Sequence, residues 1–255
     1  MRSAILSLIA IAATACGQSS TPPEESLPAI PGPAPAQIDL ATLQGRIVAL
    51  GRNPEWRLDA DAQLGLVLTA QQQGLTFSAP FAAPQRIENG GARLASAPLT
   101  VTLTPAPCSI DGVAYPMSSS VQVEQGEPLT GCAFVRWDWR LTELLPAIDS
   151  CISRSPLTRR VTYAAREADN SILVRLQGGE NPPVDCRATP TPGAPVIITP
   201  ADANLRVAGE SDAIFVRAMP APSPGLNPGG ECYEAPEVRA ADGSLLGWMD
   251  DPLGC

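Results

Sequence analysis

The chain of 255 residues contains no histidine and no lysine; its 17 basic residues are all arginine. Without histidine there is no Ser-His or Cys-His nucleophile pair, no imidazole general base and no His-ligated zinc or iron centre. Without lysine there is no Schiff base, no Ser-Lys dyad and no P-loop lysine for a nucleotide phosphate. No CxxC pair occurs, which argues against a dithiol redox catalyst and a zinc knuckle. Basic residues form no run longer than Arg159-Arg160, and 26 acidic side chains give a net charge of −9, so nucleic acid is disfavoured as a partner. Among enzyme chemistries only carboxylate pairs survive this filter.

What is present begins at the N-terminus. Met1-Arg2 is a short positive start, and Ala4 to Ala13 is apolar except for Ser7, ending in Ala13-Thr14-Ala15. That is the layout of a secretory signal, too short to span a bilayer permanently, and it assigns residues 1–15 to a signal peptide. The junction Ala13-Thr14-Ala15-Cys16 resembles a bacterial lipoprotein lipobox, with Ala13 where leucine is commonest. The resemblance implies that Cys16 becomes the acylated first residue of the mature chain, carrying palmitate-type chains. Gly17, rather than Asp, after the cysteine implies the outer membrane, with the folded part facing the periplasm. The competing reading is an ordinary secreted protein cleaved after Ala15.

The cysteine count agrees with this location. Seven is odd, and an odd cysteine in an exported protein calls for an explanation. With Cys16 lipidated, Cys108, Cys132, Cys151, Cys186, Cys232 and Cys255 remain, an even number suited to an oxidising compartment. Fifteen pairings exist in principle. The sequential one, Cys108–Cys132, Cys151–Cys186 and Cys232–Cys255, fits because each pair brackets one turn-rich or strand-rich block.

Residues 16–37 hold the anchor cysteine and a linker with Pro22, Pro23, Pro28, Pro31, Pro33 and Pro35. Such a stretch cannot bury enough apolar surface to fold. Extended at ~3.1 Å per residue, it reaches on the order of 65 Å from the lipid surface. Residues 38–137 alternate short apolar runs with turns at Asp61, Gly74, Asn89-Gly90-Gly91, Asp111-Gly112 and Gln125-Gly126. Leu99 to Thr104 is a clean period-two strand. Short strands at this spacing predict a small antiparallel β-barrel-like domain.

Gly51-Arg52-Asn53-Pro54-Glu55-Trp56, then Cys108, Asp111-Gly112, Tyr115-Pro116, Val121 and Gly131-Cys132-Ala133, resemble the pattern of a family of uncharacterised bacterial envelope lipoproteins often found beside META-type domains. The resemblance covers about ninety residues and rests on scattered positions. It implies a small β-barrel-like module with a disulfide and no assigned activity.

Residues 138–255 predict an α+β domain with two disulfides. Leu141, Leu144, Leu145, Ile148 and Ile152 recur at helical spacing with Cys151 on the same face; Thr142 is the expected cap, and Pro146 falls in or near the first turn. Strands are expected at Arg160–Ala165, Ser171–Leu176 and Val184–Arg187. A Pro-rich passage from Pro190 to Pro200 precedes strands at Ala213–Ala218, Tyr233–Arg239 and Ser244–Trp248, the last two joined through Asp242-Gly243, a hairpin signal.

Candidate binding residues are Trp56, Trp137, Tyr233 and Trp248. An exposed aromatic cluster holds sugars or peptides, although core packing is the favoured role for tryptophan in small β domains. Trp137 and Trp139 share parity if the chain there is a strand. Tyr233 belongs to a Gly-rich segment, 224–237, readable as a recognition loop or as a pinned connection. Asp59, Asp61 and Gln63 loosely resemble a calcium loop, but its glycine comes one place late and the twelfth position is Ala70, so a polar turn is favoured. Glu234, Glu237, Asp250 and Asp251 are the carboxylates available for acid–base work.

The sequence thus predicts a mainly β fold with an α+β second half in a lipid-anchored, non-enzymatic cell-envelope protein that serves binding or envelope maintenance. No catalytic residue, metal or cofactor is expected. Partners are the membrane, through the anchor, and an envelope protein or glycan. The alternatives are a carboxylate-dependent glycan hydrolase and a small-ligand carrier with a cavity inside the barrel.

Overall fold

The computed structural model describes residues 37–70, 74–155, 159–167, 169–178, 181–189, 195–202, 205–218 and 236–250. The signal segment, Cys16, Cys232, Tyr233, Glu234, Asp251 and Cys255 lie outside the described residues.

The first half is a curled, half-barrel antiparallel sheet of nine strands with a satellite hairpin. In chain order these are β1 (Ile47–Arg52), β2 (Glu55–Asp61), β3 (Gly65–Ala70), β4 (Leu75–Ala79), β5 (Gln85–Arg86), β6 (Ala92–Ser96), β7 (Leu99–Thr104), β8 (Cys108–Ile110), β9 (Val113–Tyr115), β10 (Met117–Val123) and β11 (Leu129–Val135). The sheet order is β4-β3-β2-β1-β11-β10-β7-β6-β5, and β8–β9 form a separate hairpin. Alternation decides which face is which. On β2, Trp56, Leu58 and Ala60 are buried while Arg57 and Asp59 face the other side; on β7, Leu99, Val101 and Leu103 are buried. Together with Ile47, Ala49, Leu66, Leu68, Leu94 and Val121 they form one core. The inner face of the curl is therefore filled by its own side chains.

Trp56 fixes one end of this face. It pairs across the sheet with Gly51, and a Cβ added at Gly51 would lie 2.2 Å from its Nε1. A Cβ at Gly131 would meet the Leu50 carbonyl oxygen at 2.0 Å and Trp56 Cζ2 at 2.8 Å. The indole thus lies over two glycines on adjacent strands, which is why both positions lack a side chain.

The β8–β9 hairpin turns through Asp111-Gly112, both at positive φ (51° and 79°), the backbone of a type I′ turn. The disulfide Cys108–Cys132, with Cα atoms 5.6 Å apart, ties the hairpin to β11.

The chain then passes through a short 3-10 turn, Trp137–Arg140, into helix α1 (Leu141–Arg154). Two expectations change here. Trp137 and Trp139 are on this turn and not on a strand, so they diverge: Trp137 is buried and Trp139 is 48% exposed. The helix also begins at Leu141 with no side-chain cap, placing Thr142 inside its first turn and Pro146 beyond it. The incoming 3-10 turn supplies the entry geometry that a cap would otherwise provide.

Strands β12 (Arg160–Arg166), β13 (Ile172–Gly178), β14 (Asn181–Ala188), β15 (Ile197–Pro200), β16 (Ile214–Arg217), β17 (Glu237–Arg239) and β18 (Leu245–Asp250) form a second sheet, ordered β15-β14-β13-β12-β16-β18-β17. Leu141, Leu144, Ile148 and Ile152 of α1 pack on Val161, Val174, Leu176 and Phe215. Burying four such aliphatic side chains contributes roughly 6–12 kcal/mol before entropy is counted. Cys151–Cys186, with Cα atoms 5.9 Å apart, fastens the helix to β14. The Asp242-Gly243 turn joins β17 to β18 as its sequence predicts. Among the described residues no helix is long and apolar enough to cross a membrane.

Candidate functional site

Because the inner face of the first sheet is packed, its outward residues on β1–β3 are left to face the second half of the chain. Between them lies a cleft of about 980 Å3. Its floor is the outer side of β1 and β2. Hairpin β8–β9 forms one wall, with Ile110, Asp111, Val113 and Tyr115. Residues 201–202 and 205–212 form a second wall, with Arg175 and Pro183 beside them.

Charge dominates the lining. Five arginines (46, 52, 57, 175 and 206) meet six carboxylates (55, 59, 111, 202, 210 and 212), so the site is close to electrically balanced. Most of these charges are committed to one another. Arg52 Nε donates to Asp111 Oδ2 at 2.6 Å and its Nη1 to Glu55 Oε1 at 3.0 Å. Arg57 forks onto Asp59 at 2.8 and 3.1 Å and reaches Asp212 at 3.4 Å. Arg175, only 3% exposed, forks onto Asp185 at 2.7 and 3.0 Å and donates to Glu210 at 2.7 Å and to the Leu205 carbonyl at 3.1 Å.

These pairs make the 205–212 segment the joint of the structure. Asp212 ties it to the first sheet through Arg57, and Glu210 ties it to the second through Arg175. The Ser211 N–H donates to the Thr162 carbonyl at 2.9 Å. Val207 forms a parallel bridge to Ala114 of β9, and Gly209 lies against the Phe134 ring.

Burial sets the acid–base character of the cleft. Loss of water raises the Asp212 carboxyl above its ordinary value, against the pull of Arg57 and Arg136. Arg57 is also raised: burial opposes its charge, but Asp59 and Asp212 outweigh that. The two shifts point opposite ways for a single ion pair. The geometry accounts for this, since Arg57 is satisfied mainly by its fork onto Asp59 while Asp212 holds only the longer contact. Burial, followed by the nearby Asp212 and Asp111, raises the Tyr115 hydroxyl. The Tyr115 ring is tilted 39° to Phe134 with centroids 5.9 Å apart.

The candidate aromatics are not gathered at one site. Trp56 belongs to the first core and also borders the cleft, Trp137 belongs to the second core, and Trp248 is half-buried on β18. Tyr233 lies outside the described residues. Of the candidate carboxylates, Glu237 pairs with Arg239 at 2.6 Å and Asp250 with Arg160 at 3.5 Å; Glu234 and Asp251 lie outside the described residues. Asp61 accepts from the Gln63 and Leu64 N–H groups, a polar turn, and no group of three metal-binding side chains occurs among the described residues.

Several scattered positions singled out in the sequence do converge at the cleft: Gly51, Arg52, Trp56, Asp111 and Tyr115 line it, and Cys108–Cys132 anchors its hairpin wall. Sequence reasoning missed Arg57, Arg175 and the whole 205–212 segment. One signal was available: Arg175 interrupts the apolar run Ile172–Leu176, and Asp185 stands on the next expected strand, where the register pairs them. No family model, curated protein or solved structure matches the chain.

Proposed function

We propose that this chain is a lipid-anchored, non-enzymatic protein of the bacterial cell envelope, with the outer membrane as its anchorage, and that it binds a ligand in the cleft between its two sheets. The observation that carries the binding role is the cleft itself. It is large for its purpose, since small-molecule sites span about 300–1,000 Å3, and it is lined by fixed, mutually oriented donors and acceptors. The lipobox-like junction at Cys16 and the proline-rich linker behind it support the anchor. The disulfides Cys108–Cys132 and Cys151–Cys186 suit an oxidising compartment.

The non-enzymatic reading is supported by the engagement of cleft carboxylates with arginine, which commits Glu55, Asp59, Asp111, Glu210 and Asp212 to structural ion pairs. One observation favours the alternative, a carboxylate-dependent glycan hydrolase. Asp212 is a buried carboxyl whose proton affinity is raised, the character expected of a general acid. Intact-mass analysis of the mature chain tests the anchor. A diacylglyceryl-modified N-terminal Cys16 is expected, and an unmodified terminus or cleavage elsewhere contradicts it.

A further inference from the structure

We infer that the cleft takes a short, hydroxyl-rich oligosaccharide and reads it through its arginine–carboxylate pairs. This inference rests on the reading of the cleft as a binding site. Three features of the lining carry it.

The first is charge balance. Arg52 lies between Glu55 and Asp111, and Arg57 between Asp59 and Asp212, all within hydrogen-bond range. A polyanion would meet the carboxylates and a polycation the guanidiniums, and each would lose part of an existing pair. A purely apolar ligand would leave these groups desolvated and unanswered. A hydroxyl is both donor and acceptor in one group. It accepts from a guanidinium N–H while donating to the adjoining carboxylate, whose two oxygens offer about four acceptor positions. Pairs that already neutralise one another therefore suit sugar hydroxyls.

The second feature separates a sugar from an extended peptide. A peptide strand needs an open sheet edge for its backbone. The floor strands β1, β2 and β3 are each paired on both sides, and β9 is paired with β8 and bridged at Ala114 to Val207. Among the described residues, the floor strands thus offer the cleft side chains and no free backbone edge.

The third is the arrangement of apolar and polar groups around those pairs. Tyr115 and Val113 on the hairpin and Leu205 on the neighbouring segment all line the cleft, giving surfaces for the C–H face of a sugar ring. Trp56, 2% exposed, keeps a buried indole N–H without an acceptor among the described residues. Arg206, exposed and without a hydrogen bond or ion pair among the described residues, stands in the same wall. It is free to donate to a ligand.

The test is titration calorimetry of the mature, lipidated chain in detergent with chitotetraose, cellotetraose, tetra-alanine and a heparin-derived tetrasaccharide. Saturable binding of chitotetraose or cellotetraose is expected. Arg206→Ala, an exposed change that leaves the fold intact, is expected to weaken it about tenfold, the effect of losing one charge-assisted hydrogen bond. Neutral-sugar binding unaltered by both Arg206→Ala and Tyr115→Ala overturns the inference by placing the sugar elsewhere. Binding of tetra-alanine alone, or of the heparin fragment alone, overturns the ligand class and leaves a binding cleft in place. No binding of any probe to a folded chain overturns both the inference and the reading on which it rests. Shortened sugar products that vanish in Asp212→Asn retain the ligand class and replace binding by hydrolysis.

Discussion

Truncation of Arg175 is the severest single test of how the two halves are joined. Its side chain is 3% exposed, and it answers Asp185, Glu210 and the Leu205 carbonyl at once. Arg175→Ala leaves the Asp185 carboxylate, itself 10% exposed, buried without its partner. Removing one member of a buried pair costs about 3–5 kcal/mol. For a chain of this size each kcal/mol shifts the midpoint by about 2–4 °C, so the fall in Tm is about 6–20 °C. Replacing both members, as in Arg175→Met with Asp185→Leu, removes the stranded charge and recovers most of the loss. Hydrogen exchange reads the local consequence: the single variant speeds exchange at 205–212, because Glu210 and the Leu205 carbonyl lose their common donor. An Arg175→Ala protein within 1 kcal/mol of the parent, or a double variant as unstable as the single, would refute this account of the joint.

Three further outcomes follow from named contacts. Gly131→Ala drives a methyl against the Leu50 carbonyl and the Trp56 ring and lowers stability by about 1–3 kcal/mol. The adjacent exposed Thr130→Ala changes it by about 0.5 kcal/mol or less, and equal urea midpoints for the two would remove the packing explanation. Asp212 binds a proton more readily folded than unfolded, so its contribution to stability is complete below its ordinary value of 3.8 and is lost as pH rises through the raised folded value. The stability of the parent relative to Asp212→Asn therefore declines as pH climbs from 3.8. The opposite slope, measured by urea midpoints across pH, would make the Arg57 contact the stronger influence. Replacing Cys151 and Cys186 together by serine opens a loop with 35 residues of separation and costs about 4 kcal/mol in the chain-entropy description; thermal unfolding without reductant checks it.

The elements most legible in the sequence were those with strong local periodicity. Leu99–Thr104 declared a half-buried strand, and Leu141 to Ile152 declared a helix lying on one apolar face. Asp242-Gly243 announced its hairpin. Strand β15 was hidden because Ile197–Pro200 lies in a proline-rich passage, and it survives there as an edge strand, where a missing N–H is tolerated. Hairpin strands β8 and β9 were hidden by their three-residue length, although their turn was visible. Trp137 and Trp139 share parity only on a strand, and the 3-10 turn that holds them has no apolar pattern long enough to read. The cleft was the least legible feature. The contact that ties its second wall to the first sheet, Arg57 to Asp212, joins residues 155 positions apart, and nothing local distinguishes Asp212 from the other 25 acidic residues.

The most direct measurement of the central claim is hydrogen–deuterium exchange of the full mature chain with and without saturating chitotetraose. Slowed exchange confined to 109–115 and 205–212, the two walls of the cleft, is the predicted result. Protection centred instead on β17–β18, where Glu237 and Trp248 lie, or no protection at a sugar concentration that saturates the calorimetric signal, would contradict it.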